Sequence, residues 1–552
     1  MAELKERVSV IQGRAEAIEK IWPSVERANR ISPTHSFLDK QAVILVNPSH
    51  SLPRTPEGNI SYPADSRPCV PNSEGVHPSH ERVPRADAVI GSHRSRVGSS
   101  SDEVWTSENV GNQRTVDQEP ATRRLTQLPI HLSPPDGLSV NSVPEALHKL
   151  YTMIRKYDSD WPRQEVCIVQ PVLKERIVVT GTTGALGSHL LAQLLESDGV
   201  EKVWAMNRKS SKGNTRGRQM VSFEDKMLDL SLLNNEKLKF VDADLADPKL
   251  DLHNGVYDEA NSDLQSFEPN ICGTRHLLDL AFSSTASTGL PRFVFTSSIT
   301  VAGFTSPGRR LKEVPVALEE AATSIGYGQS KLVSEKLLES ARCASLQTCT
   351  VRLGQLAGDI KSGSWSTTDW VPSLIGSSIS VGCLPGATGG VSWLPLDVAA
   401  HSIIDICTAR DAELPAVVHV SHPRSVPWMD IINAFSMSII PYTGSQLPVI
   451  RFDEWNKRVV EAAKSFKGSK NDRYKRFPIT KIQRRVDRAV QVDHDLHSSG
   501  DAANAEFGGL VSLDTTIAET CSESLRSTPK LGTEHVEQWV EYWNFMGFFK
   551  SV

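Results

Sequence analysis

The stretch that decides the fold is TGTTGALG (180–187). It directly follows an apolar segment, RIVVT (176–180), and opens a helical segment, ALGSHLLAQLLES (185–197). Glycines between a strand and a helix permit a tight turn, a close approach of the backbone to a pyrophosphate, and close packing of helix on strand. The phosphates then meet free N–H groups at the positive end of the helix. The segment therefore predicts a dinucleotide-binding turn, the alternative being an ordinary strand-to-helix turn.

The alternation of strand and helix signals continues after this turn. The strand segments are KVWAM (202–206), KLKFV (237–241), RFVFTSS (292–298) and TCTVRLG (348–354), and the helical segments include HLLDLAF (276–282), YGQSKLVSEKLLESA (327–341) and HVEQWVEYW (535–543). Such alternation is typical of a parallel sheet covered by helices. We predict an α/β protein with a Rossmann-type doubly wound parallel sheet and a smaller C-terminal substrate domain.

Composition excludes several other classes of protein. The 552 residues are 39% apolar, carry a formal charge of −5, and include eight cysteines without a C-x-x-C pair. Neither a basic nucleic-acid surface nor a zinc site is indicated. His494 and His497 lie in a polar segment that we expect to be a loop, with no third ligand nearby, so no metal is predicted. Without an apolar run that spans a bilayer, we expect a cytoplasmic protein that binds no membrane.

A basic residue follows the second strand. Arg208 occupies the place at which an acidic side chain would bind the ribose hydroxyls of NAD. A guanidinium there suits a ribose 2′-phosphate by its charge and its fork of donors. The residue therefore favours NADPH as the cofactor, although a solvated basic loop would give the same sequence.

A tyrosine and a lysine are spaced by one helical turn in a third segment. Tyr327 is the only tyrosine that has a lysine, Lys331, four positions later. On a helix these side chains share a face, so the ammonium can lower a phenol pKa that is ~10 when unperturbed. The pair follows a strand that ends in Ser298, and this placement indicates a general acid.

Together these segments resemble the extended short-chain dehydrogenase/reductase family, and in particular the thioester reductase domain that ends fungal adenylate-forming reductases and non-ribosomal-peptide-synthetase-like enzymes. The resemblance covers about residues 140–552 and includes GYGQSKLVSEKLL (326–338), VRLGQLAGD (351–359) and SWLPLDVAA (392–400). It places the family's catalytic set on Ser298, Tyr327 and Lys331. It places the cofactor-binding positions on Gly181, Thr183, Gly184, Leu186, Gly187, Arg208 and Asp244.

The resemblance implies NADPH-dependent reduction of an acyl thioester in fungal secondary metabolism. Ser298 and Tyr327 polarise the carbonyl, Tyr327 donates the proton, and Lys331 holds the nicotinamide ribose. The acyl group is expected on the phosphopantetheine arm of a carrier protein acting in trans, or as a small-molecule substrate. Asp369, Trp370 and Trp393 are expected to line the acyl pocket, the alternative being that the aromatic residues fill a core.

The chain departs from this family at its N-terminal end. Residues 1–62 resemble the closing segment of an adenylation domain, but Glu57 stands where the family has a lysine, so we interpret them as a small α+β remnant. No carrier serine is found. The predicted divisions are this remnant, a disordered linker at 63–140, a linker helix at 141–170, the NADP-binding domain at 171–400, and the substrate-binding region at 401–552.

The sheet also departs from the family pattern. Between KLKFV and RFVFTSS the run GVYDEANSDLQSFEPNICGT (255–274) goes from one helical signal to the next without an apolar strand. The missing strand normally pairs with the first strand, beside the dinucleotide. Either the chain is catalytically impaired, or this sequence lacks a segment that the working protein has. Beside the thioester reductase, two alternatives stay open: a catalytically impaired or non-enzymatic fragment of an adenylate-forming reductase, and a reductase of a free small carbonyl compound.

Overall fold

A computed structural model describes residues 142–162, 174–209, 214–243, 245, 263–284, 291–302, 310–322, 324–409, 413–499 and 505–551. The predicted remnant at 1–62, the linker at 63–140 and the cofactor-site candidate Asp244 lie outside these ranges. Within them, no helix is both long and apolar enough to cross a membrane.

The first described helix, α1 (Ser142–Tyr157), lies in the segment 141–170, for which a linker helix is predicted. Its apolar residues recur at helical spacing, and Leu150 and Met153 are buried in a cluster that also contains Leu278 and Val333. This apolar face explains why the helix packs on the segments that follow.

The glycine-rich turn belongs to a parallel sheet of three strands. Its elements are β1 (Glu175–Thr180), α2 (Ala185–Glu196), β2 (Val200–Arg208), α3 (Thr215–Asp225) and β3 (Leu238–Ala243). The strand order is β1-β2-β3, with Ile177 beside Val203 and Ala205 beside Phe240. The carboxyl ends of β1 and β2 therefore lie at the same edge, where Thr180 is paired with Met206.

The chain then enters the segment that carries the tyrosine and the lysine. Its elements are α4 (Glu268–Phe282), β4 (Phe293–Ser298), β5 (Arg310–Leu311), α5 (Leu318–Ala322), α6 (Gly326–Cys343) and β6 (Thr348–Leu353). Short 3₁₀ turns cover Leu230–Asn234, Leu264–Phe267 and Ile299–Ala302.

The C-terminal part alternates short strands with helices. The strands are β7 (Leu356–Ala357), β8 (Leu384–Gly386), β9 (Gly390–Val391), β10 (Leu394–Pro395), β11 (Val417–Val420), β12 (Val426–Pro427), β13 (Val449–Arg451) and β14 (Ser512–Leu513). The helices are α7 (Trp370–Val381), α8 (Leu396–Thr408), α9 (Trp428–Ser438), α10 (Ile440–Thr443), α11 (Phe452–Ser465), α12 (Lys470–Arg476), α13 (Gln483–Ser499), α14 (Thr516–Cys521), α15 (Glu523–Ser527), α16 (Thr533–Phe545) and α17 (Phe548–Ser551).

One expectation for this part is wrong. His494 and His497, placed in a loop by their polar surroundings, lie in helix α13. The reason is an apolar face: Val486 is buried, and Ala489 and Val490 pack against the same core cluster at helical spacing.

A second parallel sheet is formed by β4, β6 and β11, in the order β11-β6-β4. Among the described residues, β1 pairs with β2 alone, and no backbone ladder joins the two sheets. Val178, which a central strand would bury, is 48% exposed. The run at 255–274, in whose sequence no apolar strand was found, is described from Asp263 onwards, and this part is helical. Residues 246–262, which include the first part of the run at 255–274, lie outside the described ranges, so the absence of a strand there stays a prediction.

Helix packing joins the two sheets instead. Leu186 and Leu190 of α2 pack against a buried cluster that contains Leu394 and Val398. The side-chain amide of Gln193 donates to the carbonyl of Asp397, at the start of α8, over 2.9 Å. Contacts between α2 and α8 thus hold the glycine-rich turn beside the second sheet.

Tryptophans fill the core of the C-terminal part. The ring of Trp393 lies 5.6 Å from that of Trp365 and 5.7 Å from that of Trp370, between centroids, and Trp393 is 3% exposed. The stripe on α16, with Trp539 and Trp543, packs into the same cluster. Of the two alternatives, the structure places Trp393 in the aromatic core.

Candidate functional site

The turn between β1 and α2 has the geometry that its glycines predict. Gly181 adopts a φ of +71°, a left-handed conformation that L side chains rarely adopt. A Cβ atom on Gly187 would lie 2.2 Å from the carbonyl oxygen of Gly181, so only glycine lets the helix approach the turn. Gly184 is the N-cap residue, and no side chain in the described part of the chain caps α2 there. The first N–H groups of the helix are therefore available to an anion.

Polar side chains hold this turn from behind. Thr182 is fully buried; its hydroxyl donates to Gln219 Oε1 over 2.7 Å and accepts from Asn207 Nδ2 over 2.6 Å. The carbonyl of Thr182 accepts from Gln219 Nε2 at 2.8 Å and from the Ser188 hydroxyl at 2.9 Å. Sequence analysis missed the roles of Asn207 and Gln219. For Asn207, its position as a polar residue at the buried end of β2 was a usable signal.

The basic residue predicted to bind a phosphate lies at the end of β2. Arg208 is exposed, and its carbonyl accepts a hydrogen bond from Arg218 Nη2. Arg218, which sequence analysis did not identify, projects from α3 and also donates to Thr215 Oγ1 over 2.9 Å. The hydroxyl of Thr215 donates to Asp242 on β3. The guanidinium of Arg218 therefore lies against the backbone at the carboxyl end of β2, at the residue predicted to bind the phosphate.

Ser298 is the last residue of β4. Its hydroxyl oxygen accepts from the Thr300 hydroxyl at 3.0 Å and from the Thr300 N–H at 3.3 Å. These bonds fix the oxygen at the carboxyl end of its strand while leaving its own proton to donate.

Tyr327 and Lys331 lie on the first turns of α6, on one face. The Lys331 Nζ atom is 5.7 Å from the centroid of the Tyr327 ring and 4.7 Å from that of Phe295. It donates to the carbonyl of Thr296 on β4 over 2.9 Å. The ring of Phe267 packs edge-on against Tyr327 at 6.0 Å, and Tyr327 remains 37% exposed. Lys331 therefore ties the helix that carries the phenol to the strand that carries Ser298.

The environment of Lys331 lowers its pKa. Removal of the ammonium from water brings the pKa from 10.5 to about 8, while the carboxylate of Glu335 opposes this change. The side chain thus loses its charge within the range in which enzymes operate.

The structure assembles two groups of predicted residues. Gly181, Thr183, Gly184, Leu186 and Gly187 lie in the turn and the start of α2, and Arg208 lies at the end of β2. At the second sheet, Lys331 lies beside the Tyr327 ring and bonds to Thr296, two residues before Ser298 on β4. Asp244 lies outside the described residues. Among those that are described, no group of three His, Cys, Asp or Glu side chains could hold a metal ion.

Two family profiles match this chain. Residues 179–403 match the NAD-binding family described as male sterility protein, which spans both groups of site residues. Residues 3–64 match the C-terminal domain of AMP-binding enzymes.

Fungal reductases are similar to nearly the whole chain. The adenylate-forming reductase Nps11 of Serpula lacrymans is 30% identical over 615 residues, covering 96% of this chain and 54% of the relative. A carboxylic acid reductase of Neurospora crassa is 24% identical, covering 97% of this chain and 55% of the relative. The chain thus spans about half the length of these relatives. Because the 615 aligned positions outnumber the 552 residues of the chain, the first relative carries stretches that this chain lacks.

Solved reductase domains share the fold. The terminal R domain of the myxalamid PKS-NRPS pathway has a TM-score of 0.58 and 19% identity, covering 73% of this chain and 98% of that domain. A thiolation-reductase di-domain from an archaeal non-ribosomal peptide synthetase has a TM-score of 0.50 and 18% identity, covering 73% of this chain and 81% of the di-domain. The fold is therefore of the Rossmann type that these reductase domains adopt.

The close approach at Gly187 yields a stability prediction. We expect Gly187→Ala to lower the free energy of unfolding by about 2–3 kcal/mol, because the added methyl group meets the backbone of Gly181. Gly199→Ala is the matched control, since its Cβ would have only Ser197 Oγ nearby, at 3.6 Å. Urea denaturation of both variants provides the comparison, and equal stability would contradict the backbone contact.

Proposed function

Through residues 179–403 this chain belongs to the NAD-binding family described as male sterility protein, and on that premise we propose that it is an NADPH-dependent reductase of an acyl thioester. The single observation that carries the proposal is the position of Lys331. Its ammonium lies beside the Tyr327 ring while bonded to the strand that ends in Ser298. A phenol, a hydroxyl and a cation at one strand end can hold a carbonyl oxygen and supply its proton.

In this proposal, Ser298, Tyr327 and Lys331 act on the carbonyl group of the thioester. The hydroxyls of Ser298 and Tyr327 donate to the carbonyl oxygen of the thioester as negative charge develops on it. Tyr327 then delivers its proton to that oxygen. Lys331 stabilises the phenolate that remains, and it also binds the nicotinamide ribose. Collapse of the resulting hemithioacetal releases an aldehyde and a thiol, and the same residues suit a second reduction to an alcohol.

NADPH supplies the hydride when bound. The turn at 181–187 fits its pyrophosphate, because Gly187 brings the helix against the turn and the first N–H groups of α2 carry no side-chain cap among the described residues. Arg208, exposed at the end of β2, offers a guanidinium for a ribose 2′-phosphate, and Arg218 bonds to its backbone carbonyl. The position of Arg208 supports NADPH rather than NADH.

The acyl group arrives, in our proposal, on the phosphopantetheine arm of a carrier protein acting in trans, within fungal secondary metabolism. The relatives named above are fungal adenylate-forming and carboxylic acid reductases, and the archaeal neighbour joins a thiolation domain to its reductase domain. A free thioester or a small carbonyl compound is the alternative substrate. Assays with and without a loaded carrier separate these possibilities.

A second candidate function rests on the division of the sheet. Because β1 and β4 are not paired among the described residues, the cofactor turn and the Tyr327 group belong to separate sheets. This observation favours a catalytically impaired fragment that binds the dinucleotide weakly. Tight, stoichiometric NADPH binding in calorimetry contradicts that candidate.

The first prediction for the proposed function concerns the phenol. We expect Tyr327→Phe to lower kcat for NADPH-dependent reduction by about 10²–10⁴-fold, because the proton donor is lost. Tyr151→Phe is the matched control, since Tyr151 is an exposed tyrosine on α1. NADPH consumption is followed with a panel of acyl thioesters and aldehydes. Equal rates for wild type and Tyr327→Phe would remove the proposed role.

The second prediction concerns the choice of cofactor. Arg208→Ala should weaken NADPH binding by about tenfold to a hundredfold, the value of a charge-assisted hydrogen bond, and leave NADH binding unchanged. Arg176→Ala is the control, because Arg176 lies at the opposite end of β1, paired with Glu201. Isothermal titration calorimetry measures both nucleotides. A parallel loss for NADPH and NADH contradicts recognition of the 2′-phosphate.

The third prediction concerns pH. The charged form of Lys331 is the active one, and its pKa is about 8. We therefore expect kcat/KM to be constant below that value and to fall as the pH rises through it. Lys331→Arg keeps the charge at all these pH values, so its alkaline decline should disappear even if its rate is lower. An unchanged alkaline decline in this variant assigns the titration to another group.

A further inference from the structure

We propose that Glu335 is a positioning residue for the reduction, because it links the strand of Ser298 to the helix of Lys331 and places a counter-charge one turn from the lysine. The proposal rests on the reductase function proposed above and deepens it. Glu335 itself touches neither substrate nor cofactor; it acts through Ser297, Arg352 and Lys331.

The centre of this arrangement is a buried ion pair. Arg352 on β6 donates to the Glu335 carboxylate through Nε at 3.1 Å and Nη2 at 2.8 Å. The side chains are 0% and 2% exposed, respectively. Two parallel bonds of this kind fix both groups in one orientation. The pair therefore holds helix α6 against strand β6 at a single register.

The same carboxylate reaches the catalytic strand. The hydroxyl of Ser297 donates to Glu335 Oε1 over 2.5 Å, and Ser297 directly precedes Ser298. Glu335 also follows Lys331 by four residues, so both side chains lie on one face of α6. One buried group thus fixes both halves of the proposed catalytic set.

The ion pair continues towards the C-terminal region. Arg352 Nη1 lies 3.3 Å from His419 Nε2, and the other ring nitrogen of His419 lies 2.8 Å from the carbonyl oxygen of Asp514. Burial lowers the pKa of His419 to about 3, so the ring is neutral; Nδ1–H then donates to Asp514 and Nε2 accepts from Arg352. The segment after β14 therefore supports the guanidinium that holds Glu335.

Stability alone does not explain a buried pair of this kind. Removing two charges from water costs as much as their attraction returns, so apolar residues of similar volume commonly serve equally well. Around the Lys331 ammonium, β4 contributes the uncharged Thr296 carbonyl and Phe295 ring, and α6 contributes Tyr327 and Glu335. Glu335 is the carboxylate that raises the lysine pKa against the effect of burial.

The test uses a double variant, because a single substitution leaves one buried charge unpaired and can unfold the chain. Glu335→Leu with Arg352→Met removes both charges and keeps the apolar volume. Glu339→Gln is the matched control: Glu339 lies one turn further along α6 and forms a partly buried pair with Lys336. Thermal melts of the full-length chain, followed by circular dichroism, check that each variant is folded.

The decisive readout is independent of activity. In protein carrying ¹³C-labelled lysine, the Lys331 resonance, assigned through Lys331→Arg, should titrate near pH 8 in the wild type and about one pH unit lower in the double variant. Glu339→Gln should titrate like the wild type. If the double variant is folded and titrates like the wild type, Glu335 does not act on Lys331 and the proposal is overturned.

Kinetics provide the second readout. In the double variant we expect kcat to fall by about tenfold to a hundredfold, because the hydroxyl and the phenol lose their common support, with KM changed less than about twofold. An unchanged kcat overturns the positioning role. If the wild type itself reduces no thioester or aldehyde, the proposed function fails, while the lysine titration still decides the role of Glu335.

Discussion

The contact between Gly187 and the carbonyl of Gly181 is the constraint on which the nucleotide half of the site depends. A single methyl group at Gly187 would meet backbone atoms, so the start of α2 lies directly on the turn that follows β1. Buried hydrogen bonds from Asn207, Gln219 and Ser188 to Thr182 fix that turn from the opposite side. The helix terminus therefore has its orientation before any anion arrives, and binding needs little reorganisation of the backbone.

Much of this architecture could be predicted from the sequence because its signals are local. RIVVT and RFVFTSS are apolar segments that end in small polar residues, and they form β1 and β4. The spacing of Tyr327 and Lys331 placed both on one face of α6, as found. The resemblance to thioester reductase domains, carried by motifs such as GYGQSKLVSEKLL, agrees with the fungal relatives and with the solved reductase folds.

The features of the site that the sequence did not predict depend on contacts between distant segments. Arg218 of α3 bonds to the backbone carbonyl of Arg208 on β2, and α3 (TRGRQMVSFED) has little apolar periodicity to indicate its orientation. Gln219 reaches Thr182 across the same boundary. The Glu335–Arg352 pair joins a helix to a strand seventeen positions away, and no spacing rule covers it. The sequence predicts a loop where helix α13 lies, because most of its residues are polar and its buried face is narrow.

The division into two three-stranded sheets affects the mechanics of the site. Strand ladders resist sliding, whereas packed helices tolerate small shear displacements. Here the described connection between the sheets runs through α2 and α8, with apolar side chains and one amide hydrogen bond from Gln193. Sliding of one sheet relative to the other would change the separation between the pyrophosphate turn and the phenol without breaking the hydrogen bonds between strands. The separation between the pyrophosphate turn and the phenol is thus set by how readily the interface between α2 and α8 deforms.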